Sequence, residues 1–501
     1  MKKIKPYFLF IISIIFVTFV WDKISIPFDI ESAHVGDSYL DKLHHPQNDT
    51  LRFITYLSIP FLVLIFYYQM YEKIFFKNLK SVIFEYDNLV SENPYKLKVF
   101  LWITISLIIL EFFFIDFENL DHQIDIFHEG LWLTPSTNIK IKNEFWQSSY
   151  ILRGFFGNFY PYFLWKFFNV ETIGIVRFFG LFVVLLNKIL LLLIAYRISI
   201  SVSFNNNAKV IFYLLMSLTF LIFTSYMSPI FLLRSFLLLI FMILLLNFII
   251  LKNKKIINLF LIGLLSSLGM FWYIDIGIYI NAILFLFLIF LIFKRQINFF
   301  LVLLFSVITG WVALYFYIPD NEFNQFLINL KLAIYSIEYI QGLIFPTPFL
   351  SQDARATKTL LLFLITGFFI IQEINNGKKT DLKFLLIISV FFIISIFFFK
   401  YGLSRSDSAH IREASSFLYI PLISIFYYKI IEFIFKKKII FLINLKTISH
   451  LLLIIFLSSI FLNKKYENKS YSNFISSNTS IKKLINFPDE RFLSNDYNNF
   501  V

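Results

Sequence analysis

Residues 230–251 read IFLLRSFLLLIFMILLLNFIIL, and Lys252, Lys254 and Lys255 follow directly. The run carries one charge, Arg234, and is long enough to cross a hydrocarbon core about 30 Å thick as an α-helix. In lipid every backbone N–H and C=O must be satisfied within the segment, so an uninterrupted apolar run of this length is helical. A membrane β-barrel would instead show alternating segments of about ten residues. The lysines beyond the run mark that end as the cytoplasmic one.

The same kind of block recurs along the chain. Of 501 residues, 58% are hydrophobic and only 15% charged, whereas soluble domains sit near half and a quarter. Mean hydropathy is +0.74. Apolar blocks fall at about 6–21, 51–70, 98–115, 173–196, 209–226, 230–251, 256–273, 278–293, 297–318, 359–374, 383–399, 415–433 and 439–462. The expected fold is all-α: a polytopic integral membrane protein with about 13 transmembrane helices, forming one domain over 1–462. A polar tail, 463–501, follows. The aromatic stretch Phe155 to Phe168 is interrupted by Gly157, Asn158, Pro161 and Lys166. It is expected as an interfacial helix in the second outer loop rather than a span.

Met1-Lys2-Lys3-Ile4-Lys5 precedes an apolar run to Trp21 with no small-x-small cleavage site after it. It reads as a retained first span with its N-terminus in the cytoplasm. The basic segments 71–97, 252–255, 294–296, 375–382 and 434–438 then all fall inside, and loops 22–50, 116–172, 319–357 and 400–414 fall outside. The tail disagrees, because it carries Lys464, Lys465, Lys469, Lys482 and Lys483 yet an odd span count places it outside. The formal charge of +13 reads as anchoring beside the spans to anionic lipid, so membrane lipids are expected partners and nucleic acid is not. With no cysteine there is no disulfide, thiolate metal site or cysteine nucleophile.

Six of the seven histidines, all but His450, lie in the proposed outer loops with the denser acidic clusters. The first group of interest is Asp125-Ile126-Phe127-His128-Glu129-Gly130. On a helix, Asp125 would share a face with His128 and Glu129 at i+3 and i+4. A carboxylate beside an imidazole suits a general base with its orienting partner, or a divalent cation. The same residues are also ordinary surface charges for a solvated loop.

The second group is Arg405-Ser406-Asp407-Ser408-Ala409-His410. Arg405 can clamp a phosphate bidentately, and Asp407 and His410 can steady it. The plainer role is an anchored start to the next span. In Trp272-Tyr273-Ile274-Asp275-Ile276-Gly277 the acid sits in an outer turn, where a turn-forming Asp-x-Gly is the plain reading. Arg177 and Arg234 lie near the outer ends of their spans. They either snorkel to the interface or line a path for an anionic lipid-phosphate head group.

Asp29, Glu31 and Asp37 form a further acidic group. His34, His44 and His45 do not match a metal-site spacing, so no metal residue is assigned. There is no Walker A loop, no Gly-x-Ser-x-Gly elbow and no His-Glu-x-x-His, which leaves ATP-driven transport and the commoner hydrolase chemistries without support.

Together these motifs resemble the C-class (GT-C) integral-membrane glycosyltransferases. Asp125-Ile126-Phe127-His128-Glu129-Gly130 looks like that superfamily's acidic outer-loop motif, Gly154 to Arg177 like its interfacial helix and following span, and Arg405-Ser406-Asp407 with His410 like a late outer-loop motif. The resemblance implies a bacterial inner (plasma) membrane enzyme with an extracytoplasmic active face. It would transfer a sugar from a polyprenyl-phosphate donor to a glycan, lipid or protein acceptor. Asp125 would be the base, with His128 and Glu129 beside it, and Arg405, Asp407, His410, Arg177 and Arg234 would bind the lipid phosphate. A metal is not demanded, though a divalent cation is compatible. In the superfamily the main acidic motif follows the first span, whereas Asp125 follows the third, so Asp29, Glu31 and Asp37 are rival bases. Two other readings stand beside this one. A surface-polysaccharide polymerase or ligase would use similar outer-loop residues. A lipid or solute transporter, including a flippase, should show repeats and ionisable groups at mid-membrane depth.

Overall fold

The computed structural model describes residues 5–26, 47–85, 97–113, 128–145, 153–222, 224–251, 255–318, 320–341, 345–349, 354–377, 381–403 and 408–436. Among them regular structure is helical throughout, with no strand. In chain order the helices are α1 (Lys5–Val20), α2 (Gln47–Tyr71), α3 (Phe75–Phe84), α4 (Leu97–Phe113), α5 (Gly130–Lys142) and α6 (Phe155–Phe168). Then come α7 (Ile173–Ser201), α8 (Asn206–Ile222), α9 (Thr224–Phe231), α10 (Phe236–Ile250), α11 (Lys255–Trp272) and α12 (Ile274–Phe293). The remainder are α13 (Ile297–Tyr317), α14 (Asp320–Gln341), α15 (Ala354–Asn376), α16 (Leu382–Leu403), α17 (Ser408–Ala414) and α18 (Tyr419–Lys436).

Ten helical segments among the described residues are long and apolar enough to cross a membrane: α1, α2, α7, α10 to α13, α15, α16, and α17 running into α18. The blocks expected at 98–115 and 209–226 form the shorter apolar helices α4 and α8. The expected block 439–462 and the tail 463–501 lie outside the described residues.

Lipid tails are as apolar as leucine, so burying apolar surface does not by itself draw such helices together; close packing and interhelical hydrogen bonds do. Both are present here. Phe53, Phe363 and Phe399 pack ring to ring across α2, α15 and α16. The Thr104 and Tyr213 hydroxyls share a 2.5 Å hydrogen bond between α4 and α8.

Polar contacts mark the two ends of the bundle. At one end the Phe345 amide donates to Asp49 at 2.6 Å, Thr347 to Asp22 at 3.0 Å and Lys400 to Thr50 at 2.6 Å. At the other, Asp381 accepts from the Ser203 amide at 2.8 Å and the Tyr428 hydroxyl at 2.9 Å, and Asn78 donates to the Asn375 carbonyl at 2.8 Å.

The first end is more helical than its sequence suggests. Residues 320–341, inside an expected loop, form α14, because Phe323, Phe326 and Leu330 recur at helical spacing. They pack with Ile139 of α5 and Phe155 and Phe159 of α6. Residues 224–231, expected as a span end and turn, form α9. The chain breaks after it, exposing carbonyls that a helix would have satisfied. Ser235 Oγ donates to the Pro229 carbonyl at 2.7 Å, Asn187 Nδ2 to Leu232 at 2.8 Å and Trp272 Nε1 to Leu233 at 3.0 Å. Such side-chain donors are what permit a broken helix at membrane depth.

Candidate functional site

The break between α9 and α10 holds Arg234 at the first end of the bundle. Its guanidinium forms an ion pair with Asp275, in the first turn of α12, where the helix N-terminus also favours an anion. The guanidinium carbon lies 3.8 Å from the centre of the Tyr401 ring. Tyr401, near the end of α16, donates to Glu413 at 3.4 Å and meets the His410 ring at 5.3 Å. Asp275 is therefore more than a turn-former: it neutralises a partly buried cation.

A second pair lies where α5 begins. The helix starts at Gly130, so His128 and Glu129 occupy a turn and diverge, His128 exposed and Glu129 buried. Arg177, in the second turn of α7, grips Glu129 with two hydrogen bonds of 2.8 Å, Nε to Oε1 and Nη2 to Oε2. The side chains are only 6% (Arg177) and 11% (Glu129) exposed. Planar fork-to-carboxylate geometry of this kind is the strong form of an ion pair.

Between the pairs lies the start of α6. Gly154 adopts φ +124°, and a Cβ there would come within 2.7 Å of Tyr273 Cα, so only glycine lets the chain seat on the α11–α12 turn. The Ile274 amide then donates to the Arg153 carbonyl at 2.9 Å. Asn158 closes the corner, accepting from the Arg153 amide at 3.0 Å and donating to the Leu131 carbonyl at 3.3 Å. Phe156 stacks on Trp272 at 4.1 Å.

Arg153 is held by its backbone, and its guanidinium lies 6.0 Å from the Trp132 ring. No ion pair engages it among the described residues. Two phenols lie near it, Tyr160 partly buried and Tyr273 buried. Burial pushes the Tyr160 hydroxyl well above its usual range, with Tyr273 and Glu129 adding to the shift and Arg153 opposing it. Burial likewise pushes Tyr273 up to about 12, against the pull of Arg153 and Arg234. Both phenols remain neutral hydrogen-bond donors at ordinary pH. Beside Tyr160 an aromatic groove of about 420 Å³ opens, lined by Phe156, Phe163, Leu164, Lys166, Phe167 and Phe179.

The tertiary structure thus joins residues far apart in sequence into one run: Glu129 with Arg177, Tyr160, Arg153, Tyr273, Asp275 with Arg234, Tyr401 and His410. Of the residues expected to act, Glu129, Arg177, Arg234 and His410 belong to it. Arg177 and Arg234 are both committed to carboxylates. Asp29, Glu31, Asp37, Asp125, Arg405 and Asp407 lie outside the described residues. No group of three or more His, Asp or Glu able to hold a metal ion occurs among the described residues.

Sequence reasoning missed Arg153, whose one signal was a cation directly before a glycine in an aromatic stretch. It also missed Glu111 and Lys188, which pair inside the bundle with side chains 11% and 16% exposed. Lys188 lies about 20 Å from either end of α7. An ionisable pair thus lies inside apolar runs, where a charge is itself a signal.

No family model, curated protein or solved structure matches the chain.

Proposed function

We propose that the chain is a membrane glycosyltransferase of the C class that moves a sugar from a polyprenyl-phosphate donor to an acceptor hydroxyl. In this reading about 13 helices span the bacterial inner membrane, α6 lies in the interface, the N-terminus is cytoplasmic and the site faces outward. The observation that carries the reading is Arg153, a guanidinium without an ion-pair partner among the described residues, beside the Tyr160 and Tyr273 phenols and near an aromatic groove. A lipid phosphate needs that combination: a positive charge and neutral donors at the head, and apolar surface for the chain.

The reaction assigns the groups as follows. Asp125 takes the proton of the acceptor hydroxyl, whose oxygen attacks the anomeric carbon with inversion. The bond from that carbon to the phosphate oxygen breaks, and the lipid phosphate leaves with its charge held by Arg153 and the phenols. The Glu129–Arg177 pair fixes the turn that follows Asp125.

Arg153→Gln should lower kcat/KM by about 10²-fold, the usual effect of removing one charge-stabilising donor, while the folded yield stays unchanged. Asp125→Asn should abolish glycan modification in vivo. An unchanged lipid-linked sugar and glycan profile in the Asp125→Asn strain would sink the assignment of the base.

A second reading, translocation of a lipid, is favoured by the Glu111–Lys188 pair at mid-depth. Purified protein in vesicles lacking donor separates the two, because a translocase moves labelled lipid there and a transferase does not.

A further inference from the structure

The Glu111–Lys188 pair takes no part in the proposed chemistry, and cohesion alone does not call for it. Replacing a buried ion pair by apolar side chains is often neutral or stabilising. Other contacts already seat α4 on α7 and α8. Phe100 meets the Tyr196 and Tyr213 rings edge-on at 5.0 and 5.2 Å. Thr104 shares its hydrogen bond with Tyr213, and Leu107 packs with Leu192 and Leu221. An ion pair adds register: apolar contacts tolerate a slide or a rotation, whereas a carboxylate meets an ammonium at one setting.

The place where that register is set is telling. Glu111 stands two residues before α4 ends at Phe113. Glu129, just before α5, is held by Arg177 of the same helix that carries Lys188. Lys188 follows Arg177 by 11 residues, within about 20° of three whole turns. Both cations therefore leave one face of α7, about 16 Å apart along its axis. Glu111 and Glu129, 18 residues apart in sequence, are thus fastened to the same side of one helix, at either end of residues 112–128.

Helix α7 suits this task. It runs unbroken for 29 residues, and it is braced beside the inner anchor. Asn187 donates to the Leu232 carbonyl at 2.8 Å, and Lys188 Nζ lies 5.6 Å from the centre of the Phe231 ring. Leu101, Trp102 and Ile109 on α4 are exposed, so the setting of α4 comes from the side that meets α7 and α8.

We infer that Glu111 and Lys188 are positioning residues: together with Glu129 and Arg177 they hold the two ends of residues 112–128 at a fixed separation on one face of α7. The effect on sugar transfer rests on the transferase reading, because Asp125 lies between those ends in the sequence. The anchoring itself does not.

The chain has no cysteine, so spin labels at Ile109→Cys on α4 and Thr134→Cys on α5, both exposed positions, report the separation. The measurement is pulsed electron paramagnetic resonance on the full chain in lipid nanodiscs. The labelled chain with the pair intact should give one narrow distance peak. Glu111→Gln/Lys188→Met leaves no lone buried charge, so it should fold, yet it should lose the narrow peak. The exchange Glu111→Lys/Lys188→Glu rebuilds the pair and should restore it. In membranes carrying their own lipid-linked sugars, the neutral double variant should transfer about 10²-fold more slowly, the loss that follows a misplacement of about 1 Å. The exchange should recover most of that rate. A narrow peak retained by the neutral double variant overturns the inference, as does a lost peak with an unchanged transfer rate. Failure of the transferase reading looks different: wild type then transfers no sugar, while the peak is still lost in the neutral variant and regained in the exchange.

Discussion

Removal of one member of the Glu129–Arg177 pair tests whether the site rests on a buried charge network. Two unit charges about 4 Å apart attract by about 4 kcal/mol at an effective dielectric of about 20. The two 2.8 Å hydrogen bonds join side chains 6% and 11% exposed, so solvent screens little of this. Arg177→Met leaves the Glu129 carboxylate buried without its fork, and a broken buried pair costs about 3–5 kcal/mol. Glu129→Gln should cost a similar amount, because a guanidinium then remains in an apolar wall. The double variant Glu129→Gln/Arg177→Met removes both charges, so its loss should fall well short of the sum of the single losses. A coupling of about 2–3 kcal/mol is expected from the cycle. The assay is equilibrium unfolding of the purified chain in mixed micelles at rising denaturing-detergent fraction, with retained helical signal as the readout. Additive losses, with coupling below about 0.5 kcal/mol, would refute the argument that these residues act as a buried pair.

Other outcomes follow from the corner at α6. Gly157→Ala places a Cβ 2.7 Å from Tyr273 Cζ, and relief by moving the ring should cost about 1–3 kcal/mol. Since the chain has no cysteine, a single thiol introduced at exposed Phe167 reports the change as faster labelling of α6. Tyr273 binds its proton more tightly folded than unfolded, because burial raises its pKa from 10.0 to about 12. The stability it contributes is complete below pH 10 and is lost as pH rises towards 12. A wild type minus Tyr273→Phe absorbance titration at the tyrosinate band should therefore show no tyrosinate from this residue below about pH 11. Ionisation at the ordinary pKa would show that the ring is not buried.

Individual residues show how far the sequence reaches. The apolar runs specified spans because backbone hydrogen bonding in lipid is a local demand, met within one helix. Helix α6 is legible from Phe155 to Phe168, but the polar stretch that forms α14 reads as loop, although Phe323, Phe326 and Leu330 carry the helical period. Arg177 and Arg234 stood out as cations at span ends. Their partners did not, because Glu129 lies 48 residues from Arg177 and Asp275 lies 41 from Arg234. Nothing local distinguishes a carboxylate that will meet a guanidinium from one that will face water.

The sequence by itself determined an all-helical membrane chain and the candidate cations at its ends. These follow from hydropathy and charge, which each segment carries alone. The tertiary structure decided which cations are neutralised. It pairs Arg177 with the buried Glu129 and Arg234 with the partly buried Asp275, and it leaves Arg153 beside two neutral phenols with no ion-pair partner among the described residues. The physical reason is that burial and pairing depend on which helix ends meet. That is set by the break before α10 and by the seat of Gly154 on the α11–α12 turn, not by any single segment.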